Sequence, residues 1–150
     1  MRKLRAAAVP LRSGADPAAN RAQAMPFLRE AASVGARLIC TPENTLRLNR
    51  DREAMIAAAA AEKDEPEIGA WGRVAQELGV WLLMGSGSIV TGNGKVFNRS
   101  FLFSDDGKVA ARYDKINMFD VTLGGGETYL ESATVEPGTN VGATSPADDV

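Results

Sequence analysis

Lys115 follows a strand-like run and precedes an apolar turn, in the stretch Arg112-Tyr113-Asp114-Lys115-Ile116-Asn117-Met118-Phe119-Asp120. Far upstream, Thr41-Pro42-Glu43-Asn44 places a carboxylate just past another apolar run. An amine and a carboxylate, each at the end of a strand, are two parts of an acyl-transfer site. The carboxylate can move protons and the ammonium can stabilise developing negative charge. Leu130-Glu131-Ser132 offers a further acid. Taken singly, each of these residues is more often a solvated loop side chain than a catalytic one. The missing part is a nucleophile. The chain has one cysteine, Cys40, and no histidine, so its own residues cannot form a Ser-His or Cys-His pair or a His-based metal site.

The elements that must position these residues read as alternating strands and helices. Leu4 to Val9 is a short apolar run closed by Pro10, hence a strand. Asp16-Pro17 is a helix start, with Asp as N-cap and Pro at the first helical position. Ala22, Met25, Leu28, Ala32 and Val34 form a roughly helical stripe. Pro26 is a flaw in it that kinks the helix or marks its real start. Gly35 stops the helix, and Ala36 to Thr41 is a buried strand. Asp51 to Ala61 is alanine-rich and helical by propensity, and Lys63-Asp64-Glu65 is a charged linker. Pro66 opens a helix that ends at Gly79. Val80 to Met84 is a strongly apolar strand. Ser88 to Thr91, the turn Gly92-Asn93-Gly94 and Val96 to Phe103 form a hairpin. Ser104-Asp105-Asp106-Gly107 is a turn and Lys108 to Tyr113 a further strand. Beyond Lys115 the chain reads as irregular, through Gly124-Gly125-Gly126 and Pro137-Gly138, and its last dozen residues lack strand character. The order β-α-β-α-α-β-β-β predicts an α/β fold with antiparallel additions.

Composition narrows the partners. The 150 residues are 45% hydrophobic and 24% charged, with a net charge of −2, which gives no reason to expect nucleic acid or an anionic membrane surface. No apolar run approaches the ~20 residues of a membrane span. The basic start Met1-Arg2-Lys3-Leu4-Arg5 reaches Pro10 too soon for a secretory leader. A single cysteine excludes an internal disulfide and fits a reducing, cytoplasmic setting. A lone buried cysteine behaves as a small hydrophobe, the reading favoured for Cys40. Gly124-Gly125-Gly126 is not a phosphate loop, since no Gly-Lys-Ser/Thr follows.

Together, Leu38-Ile39-Cys40-Thr41-Pro42-Glu43, Asn98-Arg99-Ser100 before Phe101-Leu102-Phe103, Tyr113-Asp114-Lys115-Ile116-Asn117-Met118-Phe119-Asp120, and Glu131-Ser132-Ala133-Thr134 before Pro137-Gly138 resemble the nitrilase superfamily. This is the carbon–nitrogen hydrolase family, and within it the stretches most resemble the omega-amidase-like branch. The resemblance runs in order from Leu4 to about Gly138. It implies that the chain corresponds to the N-terminal half of an αββα four-layer sandwich, incomplete at its C-terminus, of the kind that pairs into a homodimer. It implies the roles of general base for Glu43, catalytic lysine for Lys115 and second acid for Glu131, which would hold Lys115 charged or orient the substrate amide. No cofactor is implied. The family's nucleophile is a cysteine in a motif of the kind Cys-Tyr-Asp, expected a few residues beyond Val150. Cys40 lies where the family carries an apolar residue. Asn117 stands where the lysine motif often has His, a change beside Lys115 that bears on the hydrogen bonding there. Pro10 stands where the first strand often ends in Gln.

Two functions follow as expectations. One is the N-terminal part, residues 1–150, of a hydrolase that cleaves small linear amides through a Glu-Lys-Cys triad and a thioester. The other is a naturally short, catalytically dead module for binding or oligomerisation. The tail from Ala143 to Val150 favours the first, because it falls where the family has the strand leading to the nucleophile.

Overall fold

Helix boundaries follow local chemistry. In the computed structural model, which describes residues 3–141, helix α1 (Pro17–Ser33) starts on the Asp16 side chain, which accepts from the amides of Ala18 and Ala19. It ends with Gly35 at φ +85°. There the Gly35 amide donates to the Ala32 carbonyl and the Ala36 amide to that of Ala31, a pairing that satisfies the last free carbonyls. The helix continues through Pro26, which lies on the solvent side. Its buried stripe is Asn20, Ala24, Leu28 and Ala31. This corrects the apolar reading, since Ala22 and Val34 are exposed and a polar residue takes a core position. Asn20 is satisfied there: its amide donates to the carbonyls of Gly14 and Leu46 and accepts from the Gly14 amide.

Helix α2 (Arg52–Ala58) is shorter than propensity predicts. Ala60 leaves it to bridge Ile89, and its carbonyl accepts from the Val90 amide, so a sheet contact ends the helix early. In the charged linker, Glu62–Asp64 form a 3₁₀ turn in which Lys63 and Asp64 are exposed. Glu65 is 5% exposed and caps helix α3 (Pro66–Leu78), which stops at Gly79 in the left-handed conformation.

The strands form one five-stranded sheet in sequence order. Strands β1 (Ala6–Ala8), β2 (Leu38–Cys40) and β3 (Trp81–Val90) run parallel. Strands β4 (Val96–Phe103) and β5 (Val109–Asp114) add antiparallel. The runs read as two separate strands, 80–84 and 88–91, are one strand with a bulge between Met84 and Gly87. Two small glycines and an extra residue break the alternation at that point, so the sequence looks interrupted where the pairing is continuous. The irregular reading after Lys115 is likewise corrected. Strands β6 (Asp120–Thr122) and β7 (Thr128–Leu130) form a separate hairpin, closed by Gly126 at φ +83°.

Helices α1 and α3 pack on each other and on one face of the sheet. Ile39, Leu82, Met84, Phe101 and Phe103 point into that layer with Leu28, Trp71 and Ala75, all without exposed area. The alternate residues Leu38, Cys40, Trp81, Leu83 and Leu102 face the other way and are half-buried. The α/β class and the resemblance to one half of a sandwich match this arrangement. The tail 142–150 lies outside the described residues. Among those described, no helix is long and apolar enough to cross a membrane.

Candidate active site

Glu43 is held by the strap that follows β2. The Thr41 amide donates to the Leu83 carbonyl, and the Thr41 hydroxyl accepts from the Gly85 amide. The Asn44 amide donates to Ser86 Oγ and the Leu46 amide to the Ser86 carbonyl. The bulge therefore turns Ser86 toward the strap and anchors it at two points. Gly85 makes the approach possible: a Cβ there would lie 2.0 Å from the Pro42 carbonyl oxygen. Asn44 takes a left-handed backbone conformation, φ +58°, which Asn tolerates better than most residues.

Lys115 stands one residue beyond β5. Its amide donates to the Asn98 carbonyl and its own carbonyl accepts from the Gly138 amide, both near 3 Å. A Cβ on Gly138 would meet the Asp114 carbonyl oxygen at 2.3 Å, so the Pro137-Gly138 turn closes on the lysine's backbone only with glycine. Arg99 and Asp114 are cross-strand partners joined by two hydrogen bonds of 2.7 and 2.8 Å, which pins the β4–β5 register. Glu62 bridges Arg99 and Arg112 outside this pair. Glu131 comes from the turn after β7, and its carboxylate accepts from the Phe119 amide at 2.6 Å.

These elements bring three distant residues together. Lys115 Nζ lies 2.9 Å from Glu43 Oε1 and 3.1 and 3.0 Å from the two Glu131 oxygens. Asn98 Nδ2 donates to the same Glu43 Oε1 at 2.6 Å. The group opens into a cleft of about 350 Å³, whose outer wall carries Leu48, Arg50, Arg52, Phe119 and Tyr129. A larger recess, about 600 Å³, lies at residues 61–69 and contains none of these groups.

Burial pushes the Glu43 carboxyl up, but Lys115 and Asn98 outweigh it and hold the group below its ordinary value. Burial pulls the Lys115 ammonium down, and the two carboxylates more than reverse this, so it stays charged above the usual lysine range. The cleft at neutral pH thus holds a carboxylate and an ammonium side by side. Cys40 does not line it; it points to the open sheet face, and burial pushes its thiol up. Asn117 is exposed and its side chain makes no hydrogen bond among the described residues. Among those residues, no group of three or more His, Cys, Asp or Glu is placed to hold a metal ion.

Asn98 is the site residue that the sequence reading did not single out. It sits in the Asn98-Arg99-Ser100 stretch, but nothing in that spacing says its amide meets residue 43. Only the β3–β4 pairing, which sets Asn98 opposite Ser88, turns it toward the cleft.

Residues 5–147 match the model of the carbon-nitrogen hydrolase family. The chain belongs to that family. It is 34% identical over 140 residues to omega-amidase NIT2 of Homo sapiens, covering 92% of this chain and 49% of the relative. It is equally similar, 34% over 140 residues, to a deaminated glutathione amidase of Synechocystis sp., covering 92% and 51%. The chain therefore spans about half the length of these curated relatives. In fold it superposes on the NitFhit protein of C. elegans with a TM-score of 0.77 at 20% identity, over 88% of this chain and 32% of that one. It superposes on Nit3 of Saccharomyces cerevisiae, a nitrilase-superfamily member, with a TM-score of 0.69 at 21% identity, over 88% and 48%.

Proposed function

We propose that this chain supplies the base and the lysine of an amidase for small linear amides, and that a cysteine outside these 150 residues makes the attack. The observation that carries the reading is Lys115 Nζ within hydrogen-bond distance of both Glu43 and Glu131 in one open cleft. Glu43 takes the thiol proton, because the thiolate rather than the thiol attacks. As the carbon–sulfur bond forms, the carbonyl oxygen gains charge and Lys115 donates to it; one such donor is worth ~10²–10³ in rate. Collapse breaks the carbon–nitrogen bond, and protonated Glu43 passes its proton to the leaving ammonia. Glu43 then takes a proton from water as the hydroxide attacks the thioester, and the thiol leaves with that proton. Glu131 keeps Lys115 charged and aimed. Arg50 and Arg52 on the cleft wall suit an amide whose far end is a carboxylate, in keeping with the omega-amidase among the relatives.

Ammonia release from short monoamides of dicarboxylic acids is the assay. The 150-residue chain alone shows no turnover. In a reading frame extended to include the cysteine, Glu43→Gln and Lys115→Ala each lower kcat by ~10²-fold or more, with a smaller effect on KM. Turnover by the 150-residue chain that Cys40→Ser abolishes overturns the proposal. Near-normal kcat in either variant overturns the catalytic role given to that residue.

A further inference from the structure

Glu43 has two carboxylate oxygens, and the structure treats them unequally. Oε1 accepts from Asn98 Nδ2 at 2.6 Å and from Lys115 Nζ at 2.9 Å. No hydrogen bond reaches Oε2 among the described residues. Asn98 is itself 7% exposed and held within strand β4, so its amide is a stationary donor. A carboxylate only accepts, so the amide must present its nitrogen, which removes the ambiguity of which way it points. The Asn98 carbonyl also accepts from the Lys115 amide at 3.0 Å. One residue therefore restrains the base through its side chain and the lysine through its backbone.

We infer that Asn98 is a positioning residue that locks Glu43 by Oε1 and leaves Oε2 as the oxygen that takes and returns the proton. This rests on Glu43 serving as the base. A carboxylate on an exposed strap is free to rotate about its last bond, exchanging the two oxygens. Lys115 alone does not stop this, because its flexible chain can follow either oxygen, and it is shared with Glu131. The planar amide of a buried strand residue cannot follow. With Oε1 taken by two donors, its lone pairs are the poorer proton acceptors, and Oε2 keeps its own unspent among the described residues.

The test reads Glu43 directly. Carboxyl carbons are observed by NMR in the chain labelled at glutamate, and the Glu43 signal is assigned by its loss in Glu43→Gln. The charged groups facing it are Lys115, Glu131, Arg50 and Arg52, and none of them is altered. Asn98→Leu keeps the side-chain shape and removes the donor; Asn98→Asp keeps the shape and replaces the donor with a second acceptor. The Glu43 titration moves up by about one pH unit in the first, the size set by one hydrogen bond to a charged group, and further in the second, where like charges meet. In the extended enzyme the acid limb of kcat/KM moves up by the same amount while KM changes little. A residue that merely packs leaves the Glu43 titration where it was in Asn98→Leu, and that result overturns the inference. Should Asn98→Leu fail to fold, an unmoved titration in Asn98→Asp does the same. Loss of the catalytic reading looks different: turnover indifferent to Glu43→Gln, with the titration shift still present.

Discussion

At the scale of single residues, the cleft is an ion triad in which Glu43 and Lys115 stabilise each other's charged forms. Glu43 titrates below its ordinary value of 4.5, so its contribution to stability is complete above that pH and is lost as pH falls through the lower folded value. Lys115 titrates above its ordinary 10.5, so its contribution is complete below that pH and is lost as pH rises through the higher folded value. Between these limits Glu43 and Lys115 add no pH dependence. The expected result is a urea midpoint that drops on the acid side in the parent chain and drops less in Glu43→Gln. Equal acid sensitivity in both would place the titrating group elsewhere. Ionisation at neutral pH also means that Glu43 is ready to take a proton before any substrate arrives.

At the scale of elements, the strap carrying Glu43 continues into a buried ion pair. Arg47 donates to Glu65 at 2.8 Å and to the Ala58 carbonyl at the end of α2, and the two side chains are 8% and 3% exposed. Glu65 also accepts from the Glu67 amide as the cap of α3. A single contact thus joins the strap, the end of α2 and the start of α3. Among the described residues Arg47 Nε has no partner, so the pair is short of one hydrogen bond there. Removing one charge strands the other in a dry site. Glu65→Ala should cost about 3–5 kcal/mol, whereas the double change Arg47→Met with Glu65→Leu should recover most of it. Urea unfolding followed by tryptophan fluorescence, at fixed protein concentration, measures both. A loss under about 1 kcal/mol in Glu65→Ala, the range of an exposed pair, would show that water reaches the site.

At the scale of the molecule, one face of the sheet is covered by α1 and α3, and on the other Leu38, Cys40, Trp81, Leu83 and Leu102 are only half-buried. Ala8, Cys40, Leu83, Leu102 and Ala111 are successive cross-strand partners and form an apolar row on that open face, with Leu38 and Trp81 beside it. Contiguous apolar area of this kind marks a contact surface. The 150-residue chain by itself should therefore self-associate, giving concentration-dependent elution on size-exclusion chromatography and binding a dye specific for apolar surface. Leu83→Lys with Leu102→Glu should shift it toward monomer. A monodisperse parent chain with no dye binding would mean that the face closes in another way.

What the sequence by itself determined was local or carried by motif. Asp16-Pro17, Gly35, Pro66 and Gly79 mark helix ends because capping chemistry acts within four residues. The four ordered motifs carry the family, since each combines a backbone requirement with a side chain, as Gly138 does against Asp114. What only the tertiary structure decided lies in pairing between distant segments. Trp81–Val90 is one strand because β4 pairs on both sides of a bulge that disrupts the alternation. Ala60 leaves its helix because Ile89 waits in the sheet. Asn20 is buried because loop carbonyls receive its amide. The hairpin around Gly126 is short, exposed and without a clear alternation, so its pairing was invisible until its strands were side by side. Asn98 reaches Glu43 across 55 residues of chain, and no propensity or spacing encodes such a contact; strand register and a glycine that lets two backbones touch create it.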